Sequence, residues 1–207
     1  MTRTLTALLS AASMAGFTTA AVAAYADNLV PTGNSQIFCD QGSALPIGVC
    51  QTDNADVYWH MASGTQALEA LDRAALEAML GAQYAPGDLR LHYEANPTFD
   101  GPGETDWIFQ EGPIDTEGTR GRIWCNDTVG TWECDQHYIK VEGPAGYQNP
   151  KLTCHEVGHA VGLTHGPQAS PVLDDDDADL GCMRRPLNAI TSNAIGAANK
   201  AQINAVY

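Results

Sequence analysis

Residues 155–165 read His-Glu-Val-Gly-His-Ala-Val-Gly-Leu-Thr-His, and their types and spacing suit one chemistry. Residues four apart on a helix share a face, so His155 and His159 can turn their imidazoles to a common point. Glu156 is rotated away from both, which suits a base for a water held on a metal better than a ligand. Gly162 can take the left-handed conformation that ends a helix and lets the chain double back, bringing His165 in as third ligand. Three imidazoles suit zinc and leave its fourth position to water, the arrangement of a catalytic rather than a closed structural site.

The elements that must place these residues are legible nearby. Asn149 and Pro150 supply an N-cap and a first helical position, and the helix is expected to run over residues 150–161, with Val157, Ala160 and Val161 facing a core. The full pattern, H-E-x-x-H-x-x-G-x-x-H, fixes five positions, and one methionine, Met183, follows it within Leu-Gly-Cys-Met-Arg at 180–184. On these residues the chain resembles the metzincin clan of zinc metallopeptidases, and the resemblance covers residues 149–183. Its small size is similar to the secreted bacterial snapalysin type. Gly158, Leu163 and His165 are similar to matrixins, whereas the snapalysin type has aspartate as third ligand.

The resemblance implies an α+β fold: a twisted, mostly parallel sheet, an active-site helix and a small C-terminal helical lobe, with the cleft between upper and lower lobes. It implies one catalytic Zn²⁺ on His155, His159 and His165, Glu156 as general base, and Met183 as a hydrophobic floor beneath the metal. It further implies that the strand just before the helix, residues 136–142, is the sheet edge that aligns an extended peptide. The function expected is that of a secreted zinc endopeptidase acting on protein or peptide substrates. The alternative is a non-catalytic, disulfide-linked secreted binding module whose zinc is structural or vestigial; a third reading is a calcium-dependent adhesive protein.

With 207 residues, one catalytic domain over residues 27–207 is expected. Residues 1–26 open with Met1-Thr2-Arg3, which carries a positive charge, and continue as an alanine-rich run without acidic residues, closing on Ala21-Val22-Ala23 and Ala24-Tyr25-Ala26. This reads as a cleaved signal peptide, hence secretion, with no membrane contact in the mature form. The net charge is −15, which disfavours nucleic acid and anionic membranes as partners. A monomer is expected.

Six cysteines, Cys39, Cys50, Cys125, Cys134, Cys154 and Cys182, in an exported chain argue for three disulfides among fifteen possible pairings. Nearest-neighbour pairing gives Cys39–Cys50 and a hairpin bridge Cys125–Cys134. If the methionine turn underlies the metal, as the resemblance implies, Cys154 and Cys182 come together as the third.

Elsewhere, residues 27–56 read as an irregular entry segment and residues 57–61 as a first strand. A helix is expected from a capping box at Ser63 and Gln66 to Gly81, with Leu68, Leu71, Ala75 and Met79 as its apolar stripe. Residues 89–94 alternate as a half-buried strand, leaving His92 at the surface. Residues 96–118 are rich in Pro, Gly and acid and are expected to form a solvated loop; calcium at Glu104, Asp106, Glu111 and Asp115 is the other reading, although their spacing is not that of an EF-hand. Strands at 120–126 and 132–141 make a hairpin, with His137 either near the cleft or exposed. The aspartates at 174–177 read as a solvated loop, with calcium again the alternative. A last helix is expected from about Ser192.

Overall fold

Alternating apolar side chains at Val57, Trp59 and Met61 make a strand buried on one face, Asp56–Met61 (β2). A short strand, Gln51–Thr52 (β1), precedes it, and four follow: Arg90–Tyr93 (β3), Trp107–Gly112 (β4), Gly121–Thr128 (β5) and Glu133–Glu142 (β6). The computed structural model describes residues 25–35, 39, 49–114, 119–143, 150–185 and 193–207. The signal-peptide reading therefore lies almost wholly outside the described residues, as do Asp115, Asn149 and Ser192.

The strands form one mixed, mostly parallel sheet. β3, β2, β4 and β6 are parallel neighbours in that order, β1 joins β6 in parallel, and only β5 runs antiparallel, also on β6. β6 is thus flanked by β4 and β5. The expectation that residues 136–142 form the sheet edge is corrected: β5 occupies that edge, because the hairpin folds it back along β6 from Gly121↔Val141 to Thr128↔Cys134.

β4 is the second correction. The segment expected to be a solvated loop carries a strand whose first five residues are all buried. A central strand of a parallel sheet is covered on both faces and shows no alternation. Trp107 and Phe109, at 0% and 2% exposure, each contribute about 1.5–3 kcal/mol of apolar burial there.

The first helix, Ala70–Gln83 (α1), starts later than the capping box implied and passes through Gly81. Ser63 makes no side-chain cap. Glu111 of β4 instead accepts a hydrogen bond from the Glu69 backbone N–H at the helix start, 2.9 Å, a long-range cap replacing the local one. The buried face is Leu76, Met79 and Leu80, while Leu71 is exposed. The second helix, Pro150–Ala160 (α2), packs against α1, and the last, Ala197–Val206 (α3), lies against residues 178–183. No helix among the described residues is long and apolar enough to cross a membrane.

All three disulfides form as paired above, Cys39–Cys50, Cys125–Cys134 and Cys154–Cys182, as befits an oxidising compartment. The first two pack on each other. Beside them in the hairpin, His137 is fully buried rather than exposed or at a cleft. Among the described residues its ring nitrogens make no well-formed hydrogen bond; a weak contact with the Cys50 backbone partly opposes the effect of burial.

Burial holds the His137 imidazole neutral, with its pKa pushed down to about 3. Below pH 6.5 the unfolded chain takes up a proton that the folded chain refuses, so stability is complete above 6.5 and falls as pH drops towards 3. Between pH 6.5 and 5 this one group accounts for about 2 kcal/mol. Urea unfolding at pH 7 and pH 5 should show a smaller acid loss in His137→Leu than in the parent. Equal losses would mean that His137 takes up its proton in the folded chain as readily as in the unfolded one.

Candidate metal centre

α2 is almost wholly enclosed, with nine of its residues buried, His155, Glu156 and His159 among them. Its end is a Schellman turn: Leu163 N–H donates to Gly158 O at 2.8 Å and Gly162 N–H to His159 O at 3.1 Å, with Gly162 at φ +92°. The reversal carries His165 back towards the helix. It also places the Leu163 carbonyl 2.7 Å from His159 Nδ1.

The Nδ1 of His155 lies 2.8 Å from the Cys182 carbonyl. A carbonyl can only accept, so in both rings Nδ1 carries the proton and Nε2 keeps its lone pair. Those lone pairs converge. His155 Nε2 lies 3.2 Å from His159 Nε2 and 3.0 Å from His165 Nε2, and donor atoms of all three rings lie within 4.8 Å of one another. Acceptors facing each other at this range repel unless a cation sits between them. Two imidazoles on one tetrahedral zinc at about 2.05 Å stand about 3.3 Å apart, so the donor set fits.

Burial pushes His155 and His159 down to about 3 and about 4, and His165 lower still, with neighbouring imidazoles adding to the shift at His155 and His165 and the Arg185 charge adding at all three. All three are therefore in the neutral form that binds metal at pH 7. Glu156 is driven the other way, up to about 8, by burial alone. The remaining histidines lie outside this cluster: His60 bonds the Glu94 carbonyl, and His92 is exposed beside Asp56, as expected.

Met183 is fully buried, and its sulfur fills the space beside Gly158, where a methyl group would collide with it. The methionine therefore supports the helical turn between the two histidines. The Cys154–Cys182 bridge fastens the same two elements. Asp177 caps the turn entering this segment and Asp175 pairs with Arg185, while Asp174 and Asp176 are exposed, as a solvated loop requires.

Several supports were not evident from the motif. Gly121, first residue of β5, lies directly over Glu156: a methyl group there would sit 2.6 Å from its Cδ and 2.7 Å from its Cγ. A glycine in a strand is the usual signal of such close approach. Tyr84 at the end of α1 donates to the Cys154 carbonyl at 2.7 Å. Residues 27–30, expected to be irregular, brace the loop that carries His165: Thr164 N–H donates to Asn28 O at 2.7 Å, and Asn28 Nδ2 donates to Thr164 O at 2.9 Å. No spacing rule exposes that contact across |i−j| = 136.

No family model and no curated protein matches the chain.

Proposed function

We propose that this chain is a secreted zinc endopeptidase of the metzincin kind. The observation that carries the reading is the set of three Nε2 atoms converging on one point, two of them with lone pairs fixed by backbone carbonyls on Nδ1. Zinc bound there supplies a Lewis acid that polarises a peptide carbonyl and acidifies a water. Glu156 adjoins the first ligand. Beside a dication its ionised form is favoured, opposing the burial that raises its pKa. Its carboxylate takes the proton of the attacking water and hands it to the departing amine.

β5 supplies the peptide-aligning edge. It pairs only with β6 among the described strands, and its other edge is the one that an extended substrate would join. Gly121 begins that edge strand against Glu156, and its missing side chain lets the strand approach the base closely.

The test is hydrolysis of casein or a quenched fluorescent peptide before and after treatment with a zinc chelator. Activity should vanish with the metal and return with one equivalent of ZnCl₂ per chain. Cleavage by metal-free protein would overturn the proposal, whereas a zinc-loaded chain that cuts nothing would point to the binding module.

A further inference from the structure

Carboxylates from separate segments meet where strands enter the sheet. Asp53 precedes β2, Glu104 and Asp106 precede β4, Asp127 lies on β5 and Asp135 on β6. Oxygens of Asp53, Asp106 and Asp135 lie within 4.8 Å of one another, as do those of Glu104, Asp127 and Asp135, so two sets share Asp135. Two of the five are buried and the other three half-buried. Glu104 is 7% exposed and Asp106 2%, which corrects the expectation of a solvated loop at both, and at Glu111, also 7% exposed.

Glu104 is the decisive member. Its Oε1 accepts from Gly101 N–H at 2.8 Å, but its Oε2 is enclosed and has no partner among the described residues. A buried carboxylate oxygen left unbonded among other carboxylates costs stability unless a positive charge joins it. The ion pairs Arg90–Asp56, Arg120–Glu142 and Arg185–Asp175 do not involve the five.

We propose that Asp53, Glu104, Asp106, Asp127 and Asp135 form a calcium site. The donors are all hard oxygens, with no nitrogen or sulfur to select zinc. Oxygens around an ion with Ca–O of about 2.4 Å stand at most about 4.8 Å apart, and those of each set lie within that range of one another. Magnesium holds its ligands closer, near 2.1 Å, and keeps several waters. The ion ties the β5–β6 hairpin to the segments entering β2 and β4, and so braces the edge strand. The proposal uses none of the zinc ligands and stands whether or not the chain is a peptidase.

The experiment is a thermal melt of the zinc-loaded, calcium-free full chain titrated with CaCl₂ or MgCl₂, with equilibrium dialysis against CaCl₂. Saturating calcium should raise Tm by about 5 °C, magnesium should do far less, and one calcium should bind per chain. Glu104→Gln and Asp135→Asn should each abolish most of the rise, while Asp175→Asn and Asp176→Asn retain it. Since Glu104→Gln removes an unpaired buried charge, its calcium-free melt should not fall. No binding by the parent chain, a rise undiminished in the first two variants, or one lost in the aspartate-run variants overturns the site.

Discussion

Glu156→Gln should retain zinc and lose about 10³-fold in kcat, the scale on which a positioned acid–base group contributes. The amide has nearly the volume of the carboxyl, and the enclosure at this position, 5% exposed beneath Gly121, admits it unchanged. It cannot take up a proton. The three imidazoles, two of them held by the carbonyls of Cys182 and Leu163, are not altered, so zinc content should stay at one per chain.

The same variant separates a base from a structural residue. In zinc-free protein the carboxyl titrates at about 8 in the folded state, above its ordinary 4.5. Between those values the unfolded chain has released a proton that the folded chain still holds, so stability falls as pH rises. Glutamine removes that loss. Zinc-free Glu156→Gln should therefore melt no lower than the parent at pH 7 while being inactive when loaded. Full hydrolysis by the variant would place the base elsewhere, and a lower melt would make Glu156 a packing residue.

What the sequence discloses follows the range of the interactions. α2 and its ligands are legible because helical period and one glycine set them locally, and the Cys125–Cys134 hairpin because nine residues close a short loop. β4 is hidden because a strand covered on both faces has no alternation, and the acids before it resemble a loop. The start of α1 is missed for a similar reason: Gln66 bonds Gln110 and Glu111 caps Glu69, both on β4, so the local box at Ser63 has no role. β6 is misplaced at the edge because nothing in its residues tells which side the preceding strand will take. His165 has its spacing in the motif but its brace at Asn28, far away in the chain.

Gly181→Ala should be the most damaging small substitution outside the ligands. Gly181 sits at φ 54°, ψ −124°, a region closed to residues with a side chain. A methyl group there would also lie 2.5 Å from the Ile195 carbonyl carbon and 2.7 Å from the Ala194 oxygen. Backbone cannot yield as a side-chain tip can. Backbone strain of about 1–3 kcal/mol and overpacking of about 1–3 kcal/mol together amount to about 4 kcal/mol, a Tm lower by about 10 °C for a chain of this size. The damage should reach the metal. Cys182, next in the chain, holds His155 Nδ1 through its carbonyl and α2 through its disulfide, and Met183 supports Gly158. Zinc affinity should fall with stability, since orienting groups of this kind are worth about 10–100-fold in metal binding. Competition with a chromophoric chelator reads the first effect and a thermal melt the second. A variant that melts lower but binds zinc as tightly as the parent would detach the turn from the centre, leaving His155 to be oriented by α2 alone.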